Sequence, residues 1–344
     1  MTVDFLVIGQ GIAGTTLTAR LLENGCSVKV IDMARKGASS AVAAGLFNPL
    51  SGRKAELTWL YAEFWDQIKT FYPAWQQKLG VEFFFLMPLF RPFETANDQN
   101  NAMSQSQNWP EFYEGIEHNL SQMVHAPFGG LKVRGSGYVD WPIFLTAFRN
   151  YLLDKQSLIE DLFVADQLKI SSNQIGYQQI KAKGIVLCQG HFALENELFS
   201  NLPFRPAKGE ILDLHFEQPI PCIFNKNGWV LPHHSGICRA GATFSQSLNT
   251  EISPEAVAEI EAKVTKLMKI KFKTLEAKTG IRPATAKRKP FLGKHQKHNN
   301  VFIFNGLGSR GTAIAPLAST WMCDFMLHQK PLPEGIDLKD YFPN

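Results

Sequence analysis

The chain opens on a pattern that few folds accommodate. Asp4-Phe5-Leu6-Val7-Ile8 is a short apolar run, followed at once by Gly9-Gln10-Gly11-Ile12-Ala13-Gly14. Thr15 to Asn24 then has helical spacing, with Leu17, Leu21 and Leu22 on one face, and Gly25 ends it. Ser27-Val28-Lys29-Val30-Ile31 is a second strand, finishing at Asp32. Each piece has a physical task. Gly9 permits a tight turn, Gly11 lets backbone approach a pyrophosphate, and Gly14 lets helix pack closely on strand. The helix N-terminus, with Ile12 and Ala13 in its first turn, offers free N–H groups and a positive dipole end. Asp32 is placed to accept hydrogen bonds from ribose hydroxyls. A glycine triplet alone is weak evidence, but strand, helix, second strand and terminal acid are all in register. The pattern therefore predicts an α/β dinucleotide-binding unit, without saying which dinucleotide it holds.

Composition narrows the class. The 344 residues are enough for two domains, and 45% apolar against 19% charged residues allows a sizeable core. A net charge of +4 is compatible with an anionic ligand and does not demand nucleic acid. The five cysteines are scattered, with no C-x-x-C pair, and read as reduced thiols instead of a disulfide framework or a metal site. No apolar run approaches the roughly 18 to 20 residues of a membrane span. The chain enters a strand without a basic and then apolar leader, so a cytoplasmic protein with no membrane partner is expected.

Four further segments carry a resemblance. Arg35-Lys36-Gly37-Ala38-Ser39-Ser40-Ala41-Val42-Ala43-Ala44-Gly45 follows the opening unit, and Ile185 to Gly190 is a later apolar strand ending in glycine. Gly280-Ile281-Arg282-Pro283-Ala284-Thr285 with Pro290-Phe291-Leu292-Gly293, and Val301 to Gly311, complete the set. In order and character these resemble the D-amino-acid oxidase, glycine oxidase and sarcosine oxidase family of flavoenzymes, over nearly the whole chain. The resemblance implies FAD. It implies a Rossmann-like FAD-binding domain interleaved with a smaller α+β substrate domain on a mostly antiparallel sheet. The division it suggests is 1–75, 135–202 and 280–344 for FAD, and 76–134 and 203–279 for substrate. Besides the opening glycines and Asp32, it assigns Met33, Arg35, Ser39, Ser40, Ala44 and Gly45 to the cofactor. Val164 (through its backbone, to adenine), Gly190, Arg282, Gly306, Gly308, Ser309, Arg310 and Gly311 join them. Some relatives hold the flavin through cysteine or histidine; here no cysteine lies between Cys238 and Cys323, so noncovalent FAD is expected.

Local pattern places the remaining elements. Ala55–Leu79 reads as a helix, Val81–Arg91 as one aromatic strand, and 97–108 as a polar helix or surface excursion. Gly137–Trp141 reads as a strand leading into a helix through Leu153, and Ile159–Ile170 as a strand. Lys208–Leu214, Gly228–Pro232 and Arg239–Thr243 read as strands, and Pro254–Leu275 as a helix. The last helix, Thr312–Leu327, contains Pro316, tolerable only near its first turn.

The resemblance also implies chemistry: oxidation of the C–N bond of an amino acid or secondary amine by hydride transfer to flavin N5, giving an imine. Such a reaction asks mainly for positioning. Arg282 sits where the family clamps a substrate carboxylate, a task suited to a planar guanidinium. Trp229 is a pocket-lining or core residue, and Arg310 lines the pocket or contacts the flavin. Lys208 reads as structural or as a charge near the flavin. His233-His234 with Cys238, and His295 with His298, read as polar loop residues, not metal ligands.

Two other functions compete with a small-molecule oxidase. Gly45-Leu46-Phe47-Asn48-Pro49-Leu50-Ser51-Gly52-Arg53-Lys54 is similar to the matching stretch of the oxidase domain that trims a modified tRNA wobble uridine. Ten Lys or Arg against one acid between Lys263 and Lys289 give nucleic acid some support, although a solvated face explains them better. A noncatalytic flavin-binding protein is the third reading, and Arg282 in its motif argues against it.

Overall fold

The computed structural model describes residues 1–35, 37–52 and 54–341. Lys36 and Arg53, within two segments quoted above, and the last three positions of the FAD division lie outside the described residues. The opening unit forms as predicted: strand Thr2–Ile8, helix α1 (Ile12–Glu23) and strand Val28–Ile31. These strands belong to a sheet whose parallel core runs Leu158–Ile159, Val28–Ile31, Thr2–Ile8, Ile180–Leu187, Val301–Asn305. Leu6, Val7, Ile185 and Val186 are fully buried, as expected for parallel strands covered on both faces. Antiparallel strands flank the core: Phe291–Lys294 on Val301–Asn305, and Ile175–Tyr177 with Leu168–Ile170 on the start of Ile180–Leu187.

A second sheet runs Phe272–Arg282, Ala207–Phe216, Cys238–Gly241, Trp229–Pro232, Ile223–Asn225, Leu89–Pro92, Gly130–Val133, Tyr113–Glu117. Its pairs are antiparallel except Ile223–Asn225 on Leu89–Pro92. The two sheets thus interleave along the chain as the resemblance implies. Phe272–Arg282 is continuous, so a boundary at 279/280 falls inside a strand.

Helix α2 (Tyr61–Leu79) begins later than predicted, because Leu50–Ser51 and Glu56–Leu57 pair as a small hairpin before it. The aromatic run splits into Phe84–Leu86 and Leu89–Pro92, which join different sheets. Pro88, lacking an N–H, stands at the break. Polar α3 (Ala96–Ser106) is held by a reciprocal capping box between Thr95 and Asp98. Asp140 caps α4 (Trp141–Asp154) by accepting from the Ile143 N–H.

Two predicted elements are overturned. Ile159–Ile170 is not one strand: it leaves the sheet after Ile159 and returns at Leu168 through a loop and a 3-10 turn. Helix α5 (Pro254–Leu267) ends early, and Phe272–Arg282 is the edge strand of the second sheet. The alternation Lys269, Lys271, Lys273 has the period of a strand, and helical context upstream obscured it.

Helix α6 (Gly311–His328) carries Pro316 well past its first turn without breaking. Pro316 leaves the Thr312 carbonyl without its helical donor, and the Tyr72 hydroxyl of α2 donates to that carbonyl at 2.6 Å. Trp141 Nε1 donates to Thr312 Oγ1 at 2.9 Å, so three helices meet at one residue. Tyr72 meets Trp141 and Phe144 edge-on, Phe144 meets Phe148 edge-on, and Trp141 stacks on Phe144, which accounts for part of the chain's aromatic content.

Candidate active site

Two cavities, of about 380 and 490 Å³, share Ile12, Ser39 and Gly308 in their walls and so adjoin. The first lies over the opening unit. Gly11 caps α1 and has no side chain to close its end, so the first turn borders the cavity. A Cβ on Gly11 would sit 2.9 Å from Ser40 Oγ, which accepts the Ile12 N–H at 3.1 Å. A Cβ on Gly14 would sit 1.7 Å from the Gly9 carbonyl oxygen, so only glycine allows this approach of helix to strand. Gly14 and Gly306 line neither cavity and act through backbone approach alone.

Asp32 stands in the first cavity wall with several partners already in place. Its Oδ1 accepts the Gln10 N–H at 3.0 Å and its Oδ2 accepts the Ala34 N–H at 2.9 Å. Arg149 of α4 pairs with Oδ2 at 2.8 Å and also donates to Gln10 Oε1 and Glu160. Sequence reasoning missed Arg149, since it is 117 residues from Asp32 and no local motif marks it. Met33 lines the cavity, as does Arg35, whose guanidinium lies 3.6 Å from the Phe192 ring and pairs with Glu195. Gly190 also borders it, with its carbonyl accepting from Asn305 Nδ2. Val164 does not. Its N–H donates to Tyr177 Oη and its carbonyl accepts the Gln167 N–H, while Asp161, Leu162 and Phe163 form the wall.

The second cavity lies where the two sheets meet. Ala44 and Gly45 border it, and a Cβ on Gly45 would sit 1.8 Å from the Val139 carbonyl oxygen. Across from them the segment around Ser39 is stitched to the strand that carries Arg282. The Ile281 N–H donates to the Gly37 carbonyl at 3.2 Å, and Gly280 makes room for Ser39. Arg282 ends that strand and enters the cavity over Gly209, where a Cβ would lie 1.9 Å from its Nη2. Its Nη1 donates to the Thr243 carbonyl at 3.1 Å, and among the described residues no carboxylate lies within ion-pair distance. Burial pushes the Arg282 pKa down, with Glu210 partly opposing. Trp229, Arg310, Ser309 and Gly311 complete that wall together with the first turn of α6.

Arg91 lines the same cavity and donates to the Gly52 carbonyl at 2.6 Å. It was not singled out from sequence, although a lone cation ending an aromatic strand was the available signal. Lys208 is structural: it pairs with Glu210 at 3.0 Å and donates to Asn249 and the Glu251 carbonyl. His233 and His234 begin a hairpin tip, as predicted, but their partner is Asp140, not Cys238. His233 Nε2 lies 2.9 Å from Asp140 Oδ2, and the three donor groups fall within 4.8 Å of one another. His295 and His298 stack on each other in their loop.

The chain matches the family described as FAD dependent oxidoreductase over residues 4–325, and it belongs to that family. It is 24% identical to the tRNA 5-methylaminomethyl-2-thiouridine biosynthesis bifunctional protein MnmC of Marinobacter nauticus, over 95% of this chain and 56% of that protein. It is 20% identical to a glycine oxidase of Geobacillus kaustophilus, over 94% of this chain and 92% of that protein. The chain spans 54–58% of the length of the first curated relatives it matches. Among solved structures, glycine oxidase from Geobacillus kaustophilus superposes with a TM-score of 0.78 at 18% identity, covering 99% and 98% of the two chains. Iminodiacetate oxidase from Chelativorans gives 0.79 at 18% identity, covering 97% and 98%. The cofactor is FAD, and the glycine cradle, the open α1 end and Asp32 fit its adenosine diphosphate half.

Proposed function

We propose that the chain oxidises the C–N bond of an amino acid or secondary amine that carries a carboxylate, with Arg282 as the carboxylate clamp. The observation that carries this reading is the Arg282 guanidinium, half-buried without a carboxylate partner in a cavity that adjoins the dinucleotide site. A half-buried cation of this kind is stabilised by an incoming anion, and its fork binds both oxygens of a carboxylate. Bound FAD supplies a hydride acceptor, and the oxidised amine leaves as an imine that water hydrolyses. The protein's own share is orientation. Arg282 fixes one end of the substrate, Gly209 lets the guanidinium lie flat, and Trp229 closes the side. The first turn of α6 presents its positive end to the same cavity, suited to the charge that develops on flavin reduction.

Noncovalent attachment fits the cysteine at this site. Cys188 is buried at the first cavity and pushed well above its ordinary pKa, so it is not a ready thiolate. The second reading, a tRNA side-chain oxidase, is favoured by the similarity to MnmC. The basic stretch supports it less, because Lys263 pairs with Glu259, and Lys278 with Asp213 and Glu276. Anaerobic bleaching of the bound flavin by N-substituted glycines and D-amino acids tests the first reading. No bleaching by any of them, with salt-sensitive tRNA binding, rejects it.

A further inference from the structure

The second cavity carries more positive charge than one carboxylate requires. Arg91, Arg282 and Arg310 all line it, and among the described residues its wall contains no acidic side chain. Two carboxylates act on these arginines from further off, and both are already paired. Glu210, acting on Arg282, pairs with Lys208 at 3.0 Å; Asp98, acting on Arg91, pairs with Lys226 at 2.9 Å. Arg91 is anchored by the Gly52 carbonyl. Arg310 differs: it stands exposed at the cavity rim, among the described residues it has no ion pair, and Arg288 adds a like charge nearby. A guanidinium held at a cavity wall beside another cation is stabilised when an oxyanion joins it.

We propose a second anion subsite at Arg310, so that the substrate is an amine bearing two anionic groups, one held by Arg282 and one by Arg310. This rests on the reading of Arg282 given above. The positive end required on flavin reduction is available from the first turn of α6, Gly311 to Ala313, which leaves the Arg310 side chain for the substrate. Asn225 and Asn227, in the same wall, add neutral donors that orient a polar substituent without cancelling the field. The planar fork suits a carboxylate or a phosphate equally, so the shared chemistry is an oxyanion at the far end of the amine's substituent.

The test uses the FAD-loaded protein and reads binding through perturbation of the visible flavin spectrum. The probes are methoxyacetate, oxydiacetate and (phosphonomethoxy)acetate, which share a carboxymethyl ether and differ in the second group. At least one dianion binds more than about tenfold tighter than methoxyacetate. Arg310→Met removes that difference, with methoxyacetate as the one-anion reference in each protein; the tighter dianion tells carboxylate from phosphate. Equal affinity for all three, or a preference that survives Arg310→Met, overturns the proposal. Loss of FAD from Arg310→Met also overturns it, by assigning the guanidinium to the cofactor. Salt-sensitive tRNA binding lost with Arg310, without discrimination among the acids, overturns it in favour of a polynucleotide. Failure of the underlying reading looks different: Arg282→Met then leaves the affinity for methoxyacetate unchanged, and both proposals fall.

Discussion

At the scale of single residues, the site depends on glycines as much as on charged groups. Gly209 lies directly beneath the Arg282 guanidinium, where a Cβ would meet Nη2 at 1.9 Å and Cζ at 2.2 Å. Gly209→Ala therefore displaces the guanidinium from the cavity floor. The expected result is weaker binding of carboxylate donors by more than about tenfold, with FAD content unchanged, measured by ligand titration of the flavin spectrum. Unchanged affinity would show that the arginine's position over Gly209 is not the binding position. Arg282, Gly9, Gly11 and Asp32 were legible in the sequence because each sits in a contiguous motif. Arg149, Arg91 and Gly209 were not, since their roles arise from contacts between distant segments. Val164 lies in a loop and not in a strand, beside the wall residues Asp161 to Phe163, with both its backbone groups engaged within the protein.

At the scale of elements, α6 shows how a local rule is satisfied from elsewhere. Pro316 breaks the helical ladder at Thr312, and the Tyr72 hydroxyl closes it. Tyr72→Phe leaves a buried carbonyl without a donor and costs about 1–3 kcal/mol, read from denaturant unfolding. Pro316→Ala restores an N–H to that carbonyl, so it recovers part of the loss in the double variant. A Tyr72→Phe cost untouched by Pro316→Ala would assign it to packing instead. The sequence marked Pro316 as tolerable only near the first turn, and nothing local could name its remedy. Elements with one clear period, such as α1, α3 and α4, were legible. The errors fell where period changed without a strong breaker, between α5 and Phe272–Arg282, and where Pro88 divided an apolar run between two sheets.

At the scale of the molecule, three histidines in separate places share one property. Burial is the leading cause that pushes the pKa of His191, His234 and His295 below the ordinary value. The folded state then binds fewer protons than the unfolded chain, so stability is present above the unfolded value and is lost as pH falls through the folded values. The thermal midpoint is expected to fall between about pH 7.5 and about pH 5.5, more shallowly in His191→Gln with His295→Asn. A variant with the parent's slope would remove these groups from the account. The two cavities, joined at Ile12, Ser39 and Gly308, make the larger claim: a donor held by Arg282 reduces FAD bound to the opening unit. The most direct measurement is anaerobic rapid mixing of FAD-loaded parent and Arg282→Met protein with the best reducing amine. A dissociation constant raised by more than about tenfold in the variant, with its flavin still bound, is the predicted result. Identical reduction kinetics in the two proteins would contradict it.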